Sequence, residues 1–171
     1  MEPTPPDPTF PRYTRAPFPR YRFVPGQTPH PRSDPRGHAY GRPEARVERI
    51  DPGDWARSEL YLRGVDLYNF AYWWEAHEAF EALWRGSGGG SPRAGVEADF
   101  FQGLIQIAAA LLKRFMGAPS ASAALLGRGL GRLHGAPSPY LGLDVRRFER
   151  ETTAYFAGER AQPALIALDF G

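Results

Sequence analysis

From residue 51 onward the apolar residues recur at three- and four-residue steps, and no segment keeps the two-residue alternation of a half-buried strand. Proline and glycine punctuate each periodic stretch, so the pattern divides into five predicted helices. Asp51 as cap, Pro52 at the first helical position and Asp54 open the first. Its apolar positions Trp55, Leu60, Leu62, Val65 and Leu67 carry it to Asn69, a candidate left-handed cap. The second helix is expected from about Tyr72 to Arg85, and the third, after "GSGGGSPR", from about Ala94 to Met116. The fourth follows "GAPS", with Ser120 as a candidate cap, and reaches about Leu133; Asp144 opens the fifth, which ends near Ala157. The predicted fold class is all-α: one compact bundle of about five helices, built as helical hairpins, within residues 51–171.

The first fifty residues break this rhythm. They hold twelve of the eighteen prolines, and nine arginines against five acids. Proline is excluded from helix interiors and central strands, so residues 1–50 form an extended arm. Phe10, Tyr13, Phe18, Tyr21, Phe23 and Tyr40 give the arm more aromatic surface than a disordered tail carries. Its second half is expected to dock on the bundle and its first fifteen residues to stay loose.

Composition narrows the function classes. Apolar residues make up 42% of 171, enough for a core, and the net charge is only +2. Arginine supplies all the cations except Lys113, a skew typical of a GC-rich genome. The arginines do not cluster on one predicted helix face, so no nucleic-acid partner is expected. The absence of cysteine excludes disulfides and thiolate metal sites. The longest apolar stretch, "LIQIAAALL", contains a glutamine and falls short of the roughly 20 residues of a membrane span. The first residues lack the apolar run of a signal peptide. A cytoplasmic protein without a membrane segment is expected.

Chemistry concentrates in "WWEAHEAFEALWRG", Trp73 to Gly86. At about 100° per residue, His77 and Glu81 border the apolar face, Glu78 points further out and Glu75 lies almost opposite. The third helix carries a matching stripe of Asp99, Gln102, Gln106, Ala109 and Lys113 on an otherwise apolar surface. His77, Glu78, Glu81, Trp84, Gln102 and Gln106 are therefore expected to form a polar seam between the two helices, as a structural network or a ligand site. In the arm, "PHPRSDPRGHAYG" places His30 and His38 on an extended or turning segment that can lie over the bundle. His30, His38, His77 and Glu81 would make an acceptable ligand set for zinc or iron. Position 81 is glutamate, so the second histidine of an H-E-x-x-H zinc helix is missing. "GSGGGS" follows a helix rather than a strand and does not read as a phosphate loop. Ala123, Gly127 and Gly131, spaced by four, suggest a smooth stripe for close helix approach. His134 reads as a cation at a helix C-terminus. No serine has an evident histidine–acid partner.

"YNFAYWWEAHEAFEALWR" followed by "ADFFQGLIQIAAALLKRFMG" resembles the prokaryotic family of domain of unknown function 309. That family is recognised by an "EAHE…E..W" helix and a "QGLIQ.AAAL" helix. By position its motifs fall on Glu75, His77, Glu78, Glu81 and Trp84, and on Gln102, Gly103, Gln106 and Ala109. The arm's "PHP..DP.GH" is similar to a segment preceding the domain in some members. The resemblance covers roughly residues 55–135 and implies a compact helical fold with no established activity. Gly64, Ala76 and Phe80 also resemble a tetratricopeptide helix pair, although only one unit is legible. The leading expectation is binding of a small ligand or a protein partner. The alternatives are a metal-dependent hydrolase or lyase on His77 and Glu81, with Glu78 as general base, and a tetratricopeptide-like peptide-recognition module.

Overall fold

The computed structural model describes residues 1–171 and contains five α-helices and no strand. They are α1 (Glu59–Asn69), α2 (Trp73–Gly86), α3 (Val96–Phe115), α4 (Pro119–His134) and α5 (Val145–Phe156). Each helix packs mainly on its neighbours in sequence, and α3 lies between α2 and α4. The broad apolar surface of α3 explains that placement: Phe100, Phe101, Leu104, Ile107 and Leu111 are all buried. No helix is long and apolar enough to cross a membrane.

Several helix ends differ from the pattern. Asp51 and Pro52 make a turn, with Gly53 N donating to the Asp51 carboxylate, followed by a 3₁₀ turn over Trp55–Arg57. The first α-helix instead starts at Ser58, whose hydroxyl accepts from Tyr61 N. Asn69 is helical, and the left-handed residue is Ala71 at φ 64°. The amide of Asn69 is buried, donating to Ile166 O and accepting from Ile166 N. A short side chain read as a cap is therefore a clamp on the C-terminal segment. Pro119, with no N–H to lose, occupies the first turn of α4, and Ser120 is not its cap. Asp144 does cap α5, accepting from Arg147 N.

The α1–α2 hairpin is tight because Gly64 faces Phe80: a Cβ there would sit 2.7 Å from the phenyl ring. The close approach of α3 to α4 lies elsewhere than Ala123, Gly127 and Gly131, which are exposed. It occurs at Gly129, where a Cβ would fall 2.9 Å from Ile107 Cγ1 and 3.1 Å from Gly103 O. The "GSGGGS" loop folds over Trp84, so close at Gly89 that a Cβ would overlap the indole. Tyr61 and Tyr68 are wholly buried, and burial pushes both phenols far above their ordinary range. Tyr61 donates to Leu141 O.

The arm wraps the outside of α1 and α2. Val24 and Ile50 join the helical core, and Phe18 stacks on Tyr72 at 5.0 Å between ring centres. Of its first fifteen residues, expected to be loose, most are exposed, but Pro3 is buried and Tyr13 and Thr14 are held by α1. The buried Asp66 carboxylate accepts from Tyr13 N, Thr14 N and the Thr14 hydroxyl, at 2.8, 2.8 and 2.7 Å. Backbone donors explain the difference, since a buried carboxylate must be hydrogen-bonded and aromatic spacing does not register that need.

Candidate functional site

The polar edge of α2 and the arm segment from Tyr21 to Tyr40 form one surface. Glu75 is its anchor. The helical wheel placed Glu75 outward, yet it is only 7% exposed because the arm covers that side of the helix. Its Oε1 accepts from Phe23 N at 3.0 Å and pairs with His38 Nε2 at 2.8 Å. Tyr21 supports His38 from behind, with ring centres 4.7 Å apart and its hydroxyl accepting from His38 N. Gly37 lets this loop close, since a Cβ would fall 2.2 Å from Pro31 O. His38 is thus committed to Glu75 and does not reach His77.

His30 is also occupied. Its Nδ1 accepts from Arg32 N and Ser33 N, and its ring packs edge-on against Phe23 and Trp74. Neither arm histidine joins the expected metal set. What the arm brings to the site is Arg32, with Nε 3.6 Å from Glu78 Oε2.

On α2 itself, one nitrogen of His77 and one oxygen each of Glu78 and Glu81 lie within 4.8 Å of one another. His77 Nδ1 is 3.5 Å from Glu78 Oε1 and 4.0 Å from Glu81 Oε2. This nitrogen is out of contact with solvent and makes no hydrogen bond. Glu81 lies four residues after His77 and three after Glu78, so it neighbours both, and the His77 and Glu78 side chains, about 100° apart on the helix, lean toward it. Contact with His77, then its charge and that of Arg32, holds the Glu78 carboxyl below the usual range, against burial that would raise it. Glu81 is paired with Arg85 at 2.6 Å. Two carboxylates and two guanidiniums thus flank one imidazole at the border between arm and helix.

The α2–α3 seam does not form as a hydrogen-bonded network. Gln106 turns toward α4, with its Cβ beside Gly129, and its Oε1 is buried without a partner. Gln102 borders a shallow hollow with Trp84, Asp99 and Arg132. Neither glutamine bonds to His77 or Glu81. The helical wheel expects Gln106 to face α2, but α3 is rotated so that Gln106 meets α4. Arg32 and Asp66 are polar groups the sequence reading missed, and Glu75, although a position of the family motif, was placed on the wrong face. For the two acids a further signal was the lack of another partner on faces that the arm must cross.

A family model described as a domain of unknown function (DUF309) matches residues 61–125. The chain therefore resembles that family over most of α1, all of α2 and α3, and the first part of α4. The matched segment contains His77, Glu78, Glu81 and both glutamines, and excludes the arm that supplies Arg32. No curated protein matches the chain.

Proposed function

We propose that the protein is a binding module whose ligand is a divalent metal ion held by His77, Glu78 and Glu81. The observation that carries this reading is the convergence of two carboxylate oxygens on His77 Nδ1, a nitrogen with neither solvent nor a hydrogen bond. Zinc or iron bonds of about 2.0–2.2 Å set neighbouring ligand atoms about 3.4 Å apart in a tetrahedron. The separations from His77 of 3.5 and 4.0 Å, with all three atoms within 4.8 Å of one another, close to that geometry by side-chain rotation. One imidazole and two carboxylates suit borderline first-row ions such as zinc, iron and manganese. Arg32 and Arg85 are competitors, because each neutralises a carboxylate the ion would use.

A hydrolase built on the same ion is the second reading, supported by the open positions that three protein ligands leave for water. In that case Glu78 is a ligand, and the general base must come from elsewhere.

Titration calorimetry of the full chain with zinc and with manganese tests the proposal. One ion per chain is expected, with affinity falling at least tenfold in His77→Ala and in Glu81→Gln. Arg32→Ala is expected to bind more tightly, since it removes a competing charge. Absent stoichiometric binding, or binding indifferent to His77, would overturn the assignment.

A further inference from the structure

A cleft lies on the outside of α1. Two passes of the arm, residues 13–16 and 45–48, run beside the 3₁₀ turn and the first turns of α1, leaving a cleft of about 920 Å³. That volume falls in the about 300–1,000 Å³ range of small-molecule sites. Its floor is apolar, formed by Leu60 and Leu62 with Ala16, Ala45 and Ala56. Its walls carry four arginines, Arg15, Arg46, Arg57 and Arg63, against two carboxylates.

Half of these six charges are already engaged, and Glu59, the second carboxylate, is not among them. Glu48 accepts from the Ser58 hydroxyl at 2.5 Å, Arg57 sits 3.7 Å from Asp54, and Arg63 donates to Ala16 O and Pro17 O. Arg15 and Arg46 have no protein partner and stand on opposite passes of the arm. Burial, and then the charge of Arg12, pulls the Arg63 guanidinium below the usual arginine range. Four guanidiniums against two carboxylates leave positive charge in excess here. The first turn of α1, where the helix dipole is positive, opens onto the same space.

We propose that this cleft binds a small amphiphilic anion, with a carboxylate or phosphate head between Arg15 and Arg46 and a short apolar chain along Leu60 and Leu62. Guanidinium groups pair with either head in a two-pronged geometry, and the apolar floor excludes a bare inorganic ion as the preferred ligand. The site shares no residue with the metal cluster and stands independently of it.

Calorimetry on the full chain with octanoate, octyl phosphate and inorganic phosphate supplies the test. One octyl ligand per chain is expected, weakening as salt rises because the arginines are exposed. The Arg15→Ala/Arg46→Ala variant is expected to lose at least tenfold in affinity at an unchanged melting temperature, and Leu60→Gln to weaken both octyl ligands. Preference between octanoate and octyl phosphate assigns the head group. His77→Ala is expected to bind as the native chain does, which separates this site from the metal reading. Inorganic phosphate binding as tightly as octyl phosphate, or octyl binding unchanged in the double variant, would overturn the proposal.

Discussion

Glu75 holds the arm through two donors on one oxygen, so its removal strands both a backbone N–H and an imidazole in a dry contact. Breaking a buried polar pair from one side costs roughly 3 kcal/mol. Glu75→Ala is accordingly expected to lower the unfolding free energy by about that amount in a denaturant titration, whereas a loss below about 0.5 kcal/mol would show that the arm does not depend on it. Its neighbours were easier to place from the sequence. His77, Glu78 and Glu81 fall together because they share one helix, and three- and four-residue steps are reliable there. Glu75 was misplaced because a helical wheel distinguishes core from solvent and has no third category for a face covered by another segment. The same limit hid Asp66, whose partners Tyr13 N and Thr14 N are fifty residues away and carry no side-chain signature.

Among the elements, α4 separates two kinds of glycine. Gly127 has nothing within 4 Å of a prospective Cβ, while Gly129 touches α3. Gly127→Ala is expected to stabilise the protein by up to about 1 kcal/mol through helix propensity. Gly129→Ala is expected to destabilise it, because the methyl must displace Ile107 and the Gly103 carbonyl. Thermal melts of the two single variants should move in opposite directions, and a common sign would contradict the packing of α3 on α4. The existence and order of all five helices were legible, since periodicity and proline or glycine stops are local. Which glycines face a neighbour was not, because that depends on the rotation of α3 against α4. The same rotation took Gln106 away from His77.

At the scale of the whole molecule, the arm is held at separate points, at Tyr13 and Thr14, at Phe18 and Val24 and at His38, while residues 41–47 before the helices are exposed. Deleting residues 1–15 removes both backbone donors to Asp66 and opens that carboxylate to water. The melting temperature is expected to fall by about 5 °C, at roughly 2–4 °C per kcal/mol for a chain of this size. A shift under about 1 °C would return these residues to the status of a loose end. The tyrosine at position 13 also ties the arm to the other end of the chain, its hydroxyl accepting from Leu168 N and its ring lying 5.7 Å from that of Phe170. This contact sets a timetable for the nascent protein. At about 5–20 residues per second, the ribosome makes Tyr13 on the order of ten seconds before Leu168 exists to meet it. Until then Asp66 can already hold the Tyr13 backbone, but the Tyr13 ring waits without its Phe170 neighbour. The arm's dense prolines suit that interval, since they deny passing chains the regular backbone ladder on which aggregation begins.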